Sequence, residues 1–316
     1  MGLILRMQRY EFLGNLPNFI VLFFRKPLIF RNFVAYLCSF VTACTAFFSP
    51  RRRRAARGAV TAQGKGDFFS YDMLIKTKAI VLHCLKYGES QYIIDMFTEA
   101  MGRVAFIQTV RPTGRGRIRK QLFQPLSILD IEYDHRQRVK LQRLKNAAIA
   151  CPFTSIPFDA FKLSIALFVA EFTAYCTRSE QTNRQMYLFI DNSVRWLDAC
   201  ERGFANFHIV YMLHFARFVG FYPNLDEPHE GAAACYFDLR GGCFVAHVPV
   251  HRDFLEPSEA GTVRLLMRLD YTTMRLLSLS RSERNRIVEV VLQYYRLHQP
   301  DFPEMKSLPV LMQLFG

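Results

Sequence analysis

From Met73 onward the apolar positions come in short runs, and after residue 150 they change to a helical period. Ile75–Leu85 is rich in Ile, Val and Leu. Gln91–Thr98 follows a Tyr87-Gly88-Glu89 turn, and Arg103–Arg111 follows Met101-Gly102. Leu122–Tyr133 and Arg138–Leu144 flank Asp134-His135-Arg136-Gln137, which reads as a polar hairpin tip. Turn residues between apolar runs are hairpin signals. Five short strands in ~75 residues predict a small closed barrel, either an OB-fold or an SH3-like barrel. Beyond it, Phe161, Ile165, Phe168, Phe172 and Tyr175 recur every three or four residues, the stripe of one helical face. Met186, Ile190, Val194 and Leu197 repeat the pattern. A third helix near Ala205–Val219 ends at Gly220, with Pro223 behind it. Ser280-Arg-Ser-Glu283 is a capping box before Ile287, Val291 and Tyr294. Tyr222–Glu256 is irregular, apart from a hairpin expected around Gly241-Gly242.

The pattern therefore predicts an α+β chain. A barrel module spans 73–150, and a helical domain spans 151–316 with a loop insertion at 222–256. Residues 1–72 follow neither pattern. Leu16–Phe48 is rich in Phe, Leu and Val, but Arg25, Lys26 and Arg31 interrupt it. The uncharged part, Phe33–Phe48, is 16 residues long. A membrane-spanning helix needs about 20. Arg51–Arg54 follow, where a signal peptide would carry small residues. The segment reads as an upstream extension without a folded role, the functional start being Met73. A membrane anchor at 33–48 is the competing reading.

Charge divides along the same boundaries. Of 316 residues, 41 are Lys or Arg and 27 are Asp or Glu, a net charge of +14. Residues 73–150 carry 14 cations against 6 acids, while 151–316 carry 16 against 18. A strand-rich module with a local cationic surplus suits a polyanion, nucleic acid before membrane surface. Arg111, Arg115, Arg117, Arg119 and Lys120 share one loop with Gly114 and Gly116. Glycines there let the backbone approach a ligand closely. Arg136, Arg138, Lys140, Arg143 and Lys145 form a second cluster. On a strand, Arg136, Arg138 and Lys140 would share a face. Lys76, Lys78 and Arg103 complete the candidate DNA-contacting set, with Arg111, Arg115, Arg117, Arg119, Lys120, Arg136, Arg138, Lys140 and Arg143.

The eight cysteines are scattered and none forms a CxxC pair, the usage of reduced thiols in a cytosolic chain. His229, Cys235, Cys243, His247 and His251 lack the spacing of a zinc knuckle. No phosphate-binding Gly loop, nucleophile elbow or HExxH is present, so no catalytic residues are assigned.

From Met73 the chain resembles the RecO family of bacterial recombination mediators. Ala79-Ile-Val-Leu82, Tyr87-Gly-Glu89, Phe97-Thr-Glu-Ala-Met-Gly102, the basic loop to Lys120 and Gln124-Pro125 carry the resemblance. Glu171, Gly220-Phe-Tyr-Pro223, and Phe237 with Gly241-Gly242 extend it over about 240 residues. The resemblance implies an OB-fold for the barrel and a non-enzymatic role. It implies single- and double-stranded DNA binding, strand annealing and contact with single-strand-binding protein. With RecR, such a protein would help load the RecA recombinase. Many relatives carry a four-cysteine zinc site after Gly-x-x-Pro. Here Asn224–His229 has no cysteine and only Cys235 and Cys243 remain nearby, so the insertion reads as a degraded zinc-finger-like loop and no cofactor is expected. An acidic, apolar-ended tail of single-strand-binding protein would need cations beside an apolar groove. The candidates are Lys162, Arg195, Arg202 and Arg217. The resulting expectation is a cytoplasmic, nucleoid-associated protein. A membrane-tethered scaffold and a zinc-dependent nucleic-acid enzyme are the alternatives.

A chain begun at Met73 is expected to melt at the temperature of the full chain in a calorimeter. A clear drop on truncation would show that the Phe-rich segment packs on the domain.

Overall fold

The longest strand, β1 (Met73–Tyr87), is also the one on which both halves of the protein are built. A computed structural model describes residues 73–110, 118–178, 182–226 and 235–314, all within one compact unit. After β1 come β2 (Gln91–Thr98), β3 (Gly102–Thr109), β4 (Ile128–His135), β5 (Leu141–Gln142) and β6 (Leu144–Cys151). They form one sheet in the order β5-β3-β2-β1-β4-β6. Its two edge strands are consecutive in the chain, with only Arg143 between them. The segment 141–151 thus runs beside β3 at its start and beside β4 for the rest. This curls the sheet into the OB-type arrangement. There are six strands rather than the five expected, and the ladder is not closed into a complete barrel.

Two of the expected strands fall elsewhere. Lys120–Phe123 is a 3₁₀ turn, so the fourth strand starts at Ile128. Pro125 lies between them and cannot donate to a ladder. Residues 136–140 are a loop, and the strand follows them.

The run Ala79–Leu82 has no polar position because both its faces are buried. Ala79 and Val81 point into the sheet core with Ile94, Met96, Phe106 and Tyr133. Ile80 and Leu82 point the other way, into the helical core with Phe97, Leu126 and Ile128. Leu126 has a φ of 63°, a conformation L side chains rarely adopt. Its N–H donates to Val81 O (2.7 Å), and Val81 N–H donates to Ser127 O (3.0 Å). Its side chain is fully buried in the shared core, which holds it there.

The helices are α1 (Ala160–Cys176), α2 (Arg184–Ala199), α3 (Phe207–Phe215), α4 (Pro257–Arg268), α5 (Arg281–His298) and α6 (Leu308–Leu314). Helix α1 lies against β1 and is buried almost all round. Phe161, first in its predicted stripe, is exposed at its N-terminal end. On α2 the expected stripe Met186, Ile190, Val194 and Leu197 is buried. The capping box of Ser280 and Glu283 opens α5. Helices α4 and α6 carry no strong sequence signal of their own, and the periodicity does not predict them. The insertion holds a small sheet of β7 (Tyr236–Asp238), β8 (Cys243–Val245) and β9 (Phe254–Leu255), in the order β8-β7-β9.

Three polar ties fasten these parts. Arg103 on β3 pairs with Asp95 (3.0 Å) and donates to Ala174 O and Thr177 Oγ1 on and just beyond α1. Asp198 on α2 accepts the backbone N–H groups of Thr154, Ser155 and Ile156 in the β6–α1 connection, at 2.8–2.9 Å. Burial pushes the Asp198 carboxyl up, but these hydrogen bonds outweigh it and leave the group below its ordinary range. Glu171 on α1 accepts N–H bonds from Lys306 and Ser307 (2.9 and 2.8 Å), at the start of α6.

Leu82→Ala is expected to cost about 3 kcal/mol and to lower the urea midpoint of sheet and helices together. Far-ultraviolet circular dichroism and Trp196 fluorescence would follow the helices, and hydrogen exchange of the β1–β4 amides would follow the sheet. Separate transitions would mean that the two cores are independent.

Candidate nucleic-acid interface

The β1–β2 hairpin gathers the first basic cluster. Register sets Lys86 opposite Tyr92 and Tyr87 opposite Gln91, around the turn at Gly88. Gly88 adopts a positive φ of 74°, which the tight turn requires. The loop that carries the predicted cations leaves from Val110, whose N–H donates to Ser90 O in that turn (2.8 Å). It returns at Lys120, whose ammonium lies 5.4 Å from the centre of the Tyr92 ring. Both ends of the loop are therefore fixed beside the hairpin tip. Arg111, Arg115 and Arg117 lie outside the described residues. Arg119 and Lys120 are exposed, as is Lys86, which the sequence reading missed. Its one signal was position, directly before the Tyr87-Gly88 turn. Lys120 is also the cation that acts on Cys84, although burial prevails and raises that thiol to about 11.

Along the strands the cations are neutralised. Lys76 pairs with Glu132 (2.8 Å) and Lys145 with Asp134 (2.6 Å). Lys78 stands opposite Asp130 in the β1–β4 register. Lys76, Lys78, Glu99, Asp130 and Glu132 line an open, mixed-charge hollow of about 440 Å³. The mixture makes Lys76 and Lys78 poor partners for phosphate. Arg103, half-buried and tied to Asp95 and Ala174, is a structural joint and is removed from the DNA-contacting set.

The second cluster is exposed but is not a strand. Arg136, Arg138 and Lys140 occupy the loop before β5, so they do not share a strand face. Gln142, buried on β5, shapes that loop. Its amide donates to Arg136 O (2.9 Å) and Val139 O (2.7 Å), and its Oε1 accepts from Arg136 N–H (3.1 Å). Arg143 is exposed directly after it. Lone polar residues in a strand give no signal of such a role. Arg138, Lys140 and Arg143 make no ion pair with a described residue.

The four cations proposed for a protein tail separate. Lys162 is buried, its ammonium held by Ser155 Oγ (2.6 Å) and Asp198 O (3.1 Å) and set over the Phe204 ring. It presents no surface charge. Arg195 is paired with Asp191 (2.7 Å). Arg217 lies over the Tyr222 ring at 4.5 Å and donates to its hydroxyl. Arg202 is exposed and makes no ion pair with a described residue. Gly203 beside it packs so closely on Arg275 that a Cβ there would lie 2.9 Å from Arg275 Cβ. Leu276, next along, is 77% exposed.

In the insertion, His229 lies outside the described residues. His251 Nε2 sits 3.2 Å from Asp238, and His247 is exposed. Among the described residues no group of three or more His, Cys, Asp or Glu is arranged to hold a metal. The small sheet packs through Phe237 and Phe244 toward Tyr294, and His298 bonds Leu239 O (2.9 Å). Among the described residues no helix is long and apolar enough to cross a membrane. The segment 33–48 lies outside them.

Comparison with known proteins matches both halves. The family model for "Recombination protein O N terminal" covers residues 73–153, and that for "Recombination protein O C terminal" covers 157–308. The DNA repair protein RecO of Phocaeicola vulgatus is 45% identical over 244 residues, which is 77% of this chain and the whole of that protein. The DNA repair protein RecO of Flavobacterium psychrophilum is 31% identical over 246 residues, again 77% of this chain and the whole of that protein. Matched through its sheet and through its helices, the chain belongs to the RecO family of DNA repair proteins.

Proposed function

We propose that this protein is a DNA-binding recombination mediator. It binds single- and double-stranded DNA, anneals complementary strands, and helps load a RecA-type recombinase where single-strand-binding protein covers the strand. RecR is its expected co-mediator. It makes and breaks no covalent bonds, needs no cofactor, and acts in the cytoplasm at the nucleoid. The observation that carries the reading is the hairpin tip. Hydrogen bonding at Ser90 and the Lys120–Tyr92 contact fix both ends of the basic loop beside exposed Lys86 and Tyr87. Acids along the strands neutralise their own neighbours, Lys76 and Lys145, while Lys86, Arg119, Lys120, Arg138, Lys140 and Arg143 are exposed at the loops. Such a distribution draws a phosphate chain to the tips and not to the walls. A tail of single-strand-binding protein would dock at Arg202, Arg275 and Leu276, where cations border exposed apolar surface.

Replacing Arg115, Arg117, Arg119 and Lys120 together by Ala is expected to weaken binding to all DNA sequences alike. The slope of log K against log salt should flatten by about one for each phosphate the loop no longer neutralises. An unchanged slope in anisotropy titrations would place the DNA site elsewhere.

For the tail, the full chain is titrated with an acidic peptide that ends in apolar residues, because the shared core makes the helical half unsuited to isolation. Arg202→Ala with Arg275→Ala should weaken binding about tenfold, while Lys162→Met should act on stability instead. Equal peptide affinity in the double variant would exclude this position.

A further inference from the structure

A buried glutamine lies beneath the second basic loop. Gln142 is 5% exposed and stands opposite Phe106 in the parallel pairing of β5 with β3. Phe106 packs edge-on against Tyr133 at 5.0 Å inside the sheet core. The backbone of Gln142 is therefore fixed by the sheet and not by the loop. Its side chain turns back on residues 136–140, which precede β5. One carboxamide satisfies both main-chain groups of Arg136. Its Oε1 accepts the Arg136 N–H (3.1 Å), and its Nε2 donates to Arg136 O (2.9 Å). The second Nε2 proton goes to Val139 O (2.7 Å). Val139 N–H closes the turn on Arg136 O (3.1 Å). The carboxamide thus pairs with the loop as a neighbouring strand would, with its oxygen and both its protons engaged.

We propose that Gln142 is a positioning residue for the phosphate contacts of this loop. It is buried and touches no DNA itself. It holds the backbone of 136–140 in the form from which Arg138, Lys140 and Arg143, all exposed, meet phosphate. This rests on the DNA-binding reading above and deepens it, because it names how one basic cluster is ordered before DNA arrives. A loop that is already closed gives up little backbone freedom on binding, so the order appears as affinity. The carbonyls of Arg136 and Val139, which would repel a phosphate, are engaged from beneath by the carboxamide. Only an amide of this length does all of this. A carboxylate cannot donate to the two carbonyls, and an aliphatic chain leaves them and the Arg136 N–H without their partner.

The test is a double-mutant cycle on the full chain. Gln142→Met keeps the length of the side chain and loses its hydrogen bonds. It is made in the unaltered sequence and in a triple variant, Arg138→Ala with Lys140→Ala and Arg143→Ala. Each protein is titrated by anisotropy with a labelled duplex across a salt series, and thermal melts verify folding. In the unaltered sequence Gln142→Met is expected to weaken binding about fivefold and to flatten the slope of log K against log salt by about one. In the triple variant the same substitution should change affinity by less than about twofold, because the cations it positions are gone. A glutamine that only stabilises the fold would leave the salt slope unchanged and act equally in both backgrounds. Equal losses in both, or no loss in the unaltered sequence, would overturn the proposal. If Gln142→Met does not fold, Val139→Pro replaces it in the cycle with the same expected outcomes, since it breaks the turn from the exposed side of the loop. Full affinity in the triple variant would remove this loop from the DNA site and overturn the positioning role, with the reading of the 111–120 loop still standing. If the unaltered chain binds no DNA, the parent reading itself fails.

Discussion

Everything in this protein hangs on four consecutive residues, Ala79 to Leu82, which are buried on both sides. A strand normally divides its side chains between a core and water. Here Val81 fills the sheet interior while Ile80 and Leu82 fill the helical interior. One strand is thus the wall between two cores, and neither core is complete without it. The left-handed Leu126 follows from this. That backbone costs about 1–2 kcal/mol for a side-chain-bearing residue. The cost is offset because the same residue buries its side chain in the shared core and bonds Val81 through its N–H.

The polar ties work where apolar contact runs out. Each uses a charged group to satisfy backbone atoms that a connection or helix end would leave without a partner. Arg103 does so for the end of α1, Asp198 for the β6–α1 connection, and Glu171 for the start of α6. Glu171, which figures in the family resemblance, thus has a structural task. Arg103 and Lys162 show the general difficulty of assigning ligands by charge. A cation that holds backbone carbonyls inside the fold looks the same in sequence as one that meets phosphate.

Charge and apolarity are then spread by rule over the sheet domain. Acids on the wall strands cancel the cations next to them, and the loops at the tips keep theirs. The outer face of β1, β2 and β3 carries one apolar row, Leu85, Ile93 and Ile107, set between the polar rows of Gln91 with Thr109 and of His83 with Asp95.

By itself the sequence determined the periodicities and hence the order of elements: three strands near their true bounds, the stripes on α1, α2 and α5, and the capping box at Ser280. It also determined that the cationic surplus sits in the sheet module, because composition is local. What it left open has one physical cause: burial is decided by partners distant in sequence. Residues 136–140 alternate as a strand would, yet Gln142 folds them into a loop through three hydrogen bonds. Leu122 lies in an apolar run, yet Pro125 and the bonds to Val81 impose a turn before β4. Lys162 and Arg202 are equal cations in the chain, but one is enclosed by Ser155 and Asp198 and the other faces water. The apolar row became visible only when register aligned Leu85, Ile93 and Ile107 from three separate strands. Pairing across strands is a non-local choice, made by the packing of the whole core and not by any one stretch of residues.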